Sequence, residues 1–88
     1  MSRVTAKSLY EEVVGATAIY LGPAADRFIS RQVINHLHKA PEKLMRGDLI
    51  DLIKWLKPAI AILTDDPAMV DEYVDRLNNI AGIRSRSN

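Results

Sequence analysis

Residues 48–63 read Asp48-Leu49-Ile50-Asp51-Leu52-Ile53-Lys54-Trp55-Leu56-Lys57-Pro58-Ala59-Ile60-Ala61-Ile62-Leu63. Leu49, Leu52, Ile53, Leu56, Ile60 and Leu63 recur at intervals of three and four. That spacing stacks side chains along one face of an α-helix. Asp48 stands just before the first apolar position, where its carboxylate can accept from an unpaired amide and cap the helix. Pro58 falls inside the pattern and cannot donate to the Lys54 carbonyl, so a kink or a break into two shorter helices is expected. Trp55, Ala59 and Ile62 form a second flank, about 100° or more round the helix from the first. In so small a domain this flank is expected to complete the core. The competing expectation is an exposed docking patch, because large aromatics at contact surfaces carry binding energy.

The same periodicity extends in both directions. Downstream, Thr64-Asp65-Asp66 closes the segment. Pro67 opens another helix with Asp66 as its cap, Val70, Tyr73, Val74, Leu77 and Ile80 line one face, and Gly82 ends it. Upstream, Ser8 and Glu11 match a capping box. Leu9, Val13, Ala16 and Tyr20 make one helical row, and Tyr10, Val14, Thr17 and Leu21 the next. Gly22-Pro23 ends that helix and starts a second, expected over residues 23–39. Its buried side is Ala25, Ile29, Val33 and Leu37 with Phe28 and Ile34. Residues 40–47 connect, with Pro41 as the breaker and Leu44 and Met45 packing down. No stretch alternates apolar and polar residues between hairpin turns. The expected fold class is all-α, a compact bundle of four to five short helices. Residues 1–82 form one domain in this reading, and residues 83–88 a disordered tail.

Composition sets the outer bounds. The chain has 88 residues, 48% hydrophobic and 26% charged, with a formal net charge of +1. This is ordinary globular chemistry, with no global pull toward nucleic acid or an anionic membrane. The chain has no cysteine, which excludes disulfides, thiolate zinc sites and thiol catalysis. Residues 1–7 lack the apolar core of a signal peptide, and no apolar run approaches the ~20 residues of a membrane span. A cytoplasmic location and no membrane partner are the expectations.

Catalytic motifs are missing. His36 and His38, two apart on a helix, point about 200° away from each other and cannot readily share one metal. Asp65, Asp66, Asp71, Glu72 and Asp75 form an acidic cluster that reads as a solvated face with a helix cap. The four glycines are scattered singly, so no phosphate-cradling loop exists. The sequence therefore predicts a protein that is not an enzyme and takes no cofactor or metal.

Tyr20-Leu21-Gly22-Pro23-Ala24-Ala25, followed by Phe28-Ile29-Ser30-Arg31, resembles a helix junction of a small helical domain. That domain is attached to bacterial signalling proteins, including eukaryotic-like serine/threonine kinases. There a Tyr-Ile-Gly-Pro-Ile-Ala turn joins two helices, and an apolar helix with an Asp-Leu start follows; Asp48-Leu49 and the residues up to Leu56 are similar to that start. The resemblance spans roughly residues 9–77, and Ala24 stands where an Ile is usual. It implies a regulatory or protein-contact role and brings no catalytic residues with it.

Charge is segregated along the chain. Residues 1–46 carry seven basic residues against four acidic ones, and residues 47–82 three against seven. Arg27 and Arg31, one helical turn apart, could join Lys39, Lys43 and Arg46 in a basic strip. Three outcomes are open: the two halves neutralise each other within the fold, the polarity steers self-association or docking on a charged partner, or the strip binds nucleic acid. The expected function is a non-enzymatic protein–protein interaction or oligomerisation module, regulatory in bacterial signalling, with a homodimer as its expected form. Its contact residues would be Trp55, Ile62, Arg27, Arg31, Lys39, Lys43 and Arg46. A small nucleic-acid-binding regulator is the alternative.

Overall fold

The computed structural model describes residues 8–82, which hold no β-strand. The expected ends of the chain, including the tail at 83–88, lie outside the described residues. Helical backbone covers α1 (Leu9–Leu21), α2 (Ala25–Leu37), α3 (Arg46–Leu63) and α4 (Pro67–Ala81). The all-α expectation holds. The division into four to five separate helices does not follow the backbone, because α1 passes through a 3-10 turn, Gly22–Ala24, directly into α2. Unbroken helical stretches therefore number three among the described residues.

Local chemistry explains the boundaries. Ser8 Oγ accepts from Glu11 N at 3.1 Å while Ser8 N donates to Glu11 Oε1 at 3.1 Å, a complete capping box. At the α1–α2 junction Gly22 takes φ 62°, a region costly for residues with a Cβ, and Pro23 follows where its missing N–H goes unneeded. Helix α2 stops two residues earlier than the expected Lys39, because His38 adopts the left-handed conformation at φ 55°. This is an uncommon position for a non-glycine residue. Asp66 caps α4 by accepting from Ala68 N at 3.1 Å, and Gly82 closes it in the left-handed region.

Two expectations about α3 need correction. Asp48 is not its N-cap: the helix starts at Arg46, and the Asp48 carboxylate reaches back from the first turn to accept from Met45 N at 3.1 Å. A carboxylate three residues into a helix serves the same orphan amides as a cap and meets the same positive dipole end. Of the kink or break expected at Pro58, the break does not occur: helical backbone runs uninterrupted to Leu63. Pro58 and Lys54 both lie on the exposed side, so water can take up the carbonyl that proline leaves without a donor.

The helices pack in a closed ring, α1 on α2, α2 on α3, α3 on α4 and α4 on α1. The core consists of Val13, Ile29, Val33, Leu44, Leu49, Leu52, Leu56, Ile60, Val70, Tyr73, Leu77 and Ala81. Other apolar residues of the periodic rows, such as Leu9, Tyr20, Phe28, Leu37, Ile53 and Val74, are partly buried against it. Ile34, Met45 and Leu63, expected to pack inward, are exposed. Thr17 is the one buried polar residue described, and its hydroxyl is satisfied twice. It donates to Val13 O at 2.7 Å, which leaves Tyr73 to donate to Thr17 Oγ1 at 2.7 Å. Arg46 Nη1 donates to Ile80 O at 2.9 Å, placing the start of α3 beside the end of α4 and capping its last turn.

Candidate protein-contact surface

Trp55 is not in the core. Leu52 and Leu56, on either side of it along the chain, are fully buried, whereas Trp55 keeps 50% of its surface exposed. The buried stripe of α3 is narrow, and Trp55 falls on its margin facing α2. There its indole stacks on the His36 imidazole with centroids 4.2 Å apart and planes within 5°. The stack holds the ring flat over the α2–α3 seam while leaving its other face to solvent. Ile62, two helical turns further along the same side of α3, is 84% exposed. The sequence-based preference for a Trp55 flank inside the core is therefore corrected: the ring of four helices closes without it.

The basic strip does not form as a unit. Lys39 Nζ meets Asp48 Oδ2 at 2.5 Å, and Arg46 donates to the Ile80 carbonyl of α4. Lys43 is exposed on the turn Pro41–Lys43. Arg27 and Arg31 remain together on the outer face of α2, where they border a shallow hollow with Ser30, Ile34 and Asn35. Of the five expected cations, two serve the fold and two stay side by side.

The Lys39–Asp48 pair holds the Asp48 carboxyl below its ordinary value, through the hydrogen bond from Lys39 and a further one from Met45 N. A carboxyl depressed on folding stabilises the native state above its unfolded pKa and loses that contribution as pH falls below about 3.8. Asp48→Asn is thus expected to lower stability at pH 7 and to flatten its decline below pH 4, as read by urea titrations across that range. An unchanged acid profile would show that the pair contributes nothing.

The other candidate chemistries stay dispersed. His36 is committed to Trp55 and His38 to the end of α2. No group of three or more His, Cys, Asp or Glu residues is placed to share a metal among the described residues. Asp65, Asp66, Asp71, Glu72 and Asp75 are all exposed, with Glu72 paired to Arg76 at 3.6 Å. An open groove of about 350 Å³ between α3 and α4 is lined by Lys57, Ala61, Thr64, Asp65, Pro67, Val70 and Asp71. Tyr10 has its phenol pushed well up, by burial first and then by its hydrogen bond to the Asp26 carboxylate. No described helix is long and apolar enough to cross a membrane. Comparison of the chain with protein-family models, with curated proteins and with solved structures finds no match.

Proposed function

We propose that the protein is a non-enzymatic interaction module whose contact surface centres on Trp55 and Ile62 and receives an apolar helix of a protein partner. The observation that carries this reading is the half-exposed indole, held flat by His36 on a helix whose core is already closed by Leu49, Leu52, Leu56 and Ile60. A large aromatic fixed in one orientation costs little further entropy on binding and is the side chain most often found at interface hot spots. The resemblance of the Tyr20–Ala25 junction to domains of bacterial signalling proteins supports a regulatory, cytoplasmic role for that contact.

The test is a photo-crosslinking amino acid placed at Ile62 in living cells. A single adduct of defined mass is expected, and Trp55→Ala should reduce it by about thirtyfold, the effect of truncating a hot-spot residue. A smear of unrelated adducts, or an adduct indifferent to Trp55→Ala, would overturn the proposal.

A further inference from the structure

The charge segregation read from the sequence is neutralised inside the fold at one place, Lys39–Asp48. Three ion pairs form among the described residues: Lys39–Asp48 joins the segment after α2 to the start of α3, and Lys54–Asp51 and Arg76–Glu72 are each local to one helix. None joins the cations of α2 to the acids of α4. The ring order explains why: α2 and α4 each pack on α1 and α3, so they stand on opposite sides of the molecule.

Each of the two helices exposes a like-charged pair one turn apart. On α2 the buried stripe is Ala25, Ile29 and Val33, and Arg27 and Arg31 lie opposite it, exposed and one turn apart. On α4 the buried stripe is Val70, Tyr73, Leu77 and Ala81; Asp75 lies opposite it, and Asp71, one turn before, lies on the flank beside the α3–α4 groove, both exposed. Side chains at this spacing have Cβ atoms about 5–6 Å apart. A pair of arginines at that interval can therefore meet a pair of aspartates across two antiparallel helices, each guanidinium facing one carboxylate. Ile34, half exposed beside Arg31, gives the α2 face an apolar contact within the same hollow.

We infer that the chain associates with copies of itself head to tail, the Arg27–Arg31 face of α2 on one molecule meeting the Asp71–Asp75 face of α4 on the next. The complementary faces point in opposite directions, so one contact leaves both outer faces of the pair free, and growth continues to an open chain or a closed ring. Exposed charge pairs are individually weak and screened by salt, so the association is weak and reversible at physiological ionic strength. It does not use Trp55 or Ile62, and the two surfaces stand or fall separately.

Multi-angle light scattering over a concentration series tests this. At about 10 mM salt, where the screening length is about 30 Å, the wild-type mass should rise with concentration; at about 1 M it should stay that of a monomer. R27E/R31E and D71R/D75R should each weaken association by about tenfold or more, since each sets like charges against like. Two rescues then separate specific pairing from a general charge effect. The variants mixed one to one should associate again, and so should the quadruple variant R27E/R31E/D71R/D75R, whose net charge equals that of the wild type. Circular dichroism checks that each variant is folded, and R27Q/R31Q with D71N/D75N replaces any that is not. A wild type monomeric at every concentration in low salt, or a loss that neither rescue restores, overturns the inference. Trp55→Ala should leave the self-association unchanged even if it abolishes partner crosslinking.

Discussion

Tyr73→Ala is expected to destabilise the protein by about 3–5 kcal/mol, the range for removing a fully buried aromatic ring. Tyr73 is the largest side chain wholly inside the core. It joins α4 to α1 twice, through its hydroxyl on Thr17 and through an edge-on contact with Tyr20 at 5.4 Å and 73°. An 88-residue domain sits toward the lower part of the usual stability range of about 5–15 kcal/mol, so this loss would leave a substantial unfolded fraction at 37 °C. Tyr73→Phe separates the contributions. It keeps the ring and removes one donor, leaving Thr17 still bonded to Val13 O, and should cost about 1 kcal/mol.

The same residue predicts an alkaline limit. Burial pushes the Tyr73 phenol up to about 12 from an ordinary 10.0. The native state thus holds the proton after the unfolded chain has released it. The resulting stabilisation is intact below pH 10 and lost as pH rises from 10 to 12. Thermal melts across that interval should fall more steeply for the wild type than for Tyr73→Phe. Parallel curves would mean that the native phenol ionises as freely as the unfolded one.

Leu56→Ala carries the second large effect, about 2–5 kcal/mol, read as a lower urea midpoint at an unchanged slope. Leu56 is fully buried in the middle of α3, the helix that packs on both α2 and α4. The informative comparison is Leu63→Ala, at the last position of the same helix. The periodic pattern counts both leucines as core, yet Leu63 is 56% exposed, and its removal should change stability by only about 0.5 kcal/mol. Equal losses at the two sites would mean that Leu63 is covered in solution.

The contact surface was legible only in part. Trp55, Ala59 and Ile62 stand out as a second flank from spacing alone, but periodicity cannot say whether a flank is covered. That depends on how many helices surround it, and the ring places α2 at the level of His36, where it stacks on Trp55 without enclosing it. Nothing in the sequence marks His36 as the partner of Trp55, since 19 positions separate them and no local rule connects the two. The basic strip failed for a similar reason. Lys39 and Arg46 are cationic in the sequence, but only the fold brings Asp48 and the end of α4 within their reach.

Local signals fixed what depends on neighbours a few residues away. The capping box at Ser8 and Glu11, the Asp66 cap, the closing Gly82 and the apolar rows of each helix all follow from backbone amides and side chains within one or two turns, which the chain order itself supplies. Tertiary structure decided the rest: that α3 continues as one helix through Pro58, that Trp55 lies outside the core, and that the cations of α2 and the acids of α4 sit on opposite helices of the ring. Each of these is settled by solvent access or by contacts between helices distant in the chain. The free energy involved is exchanged between surfaces that meet only after folding, which no periodicity encodes.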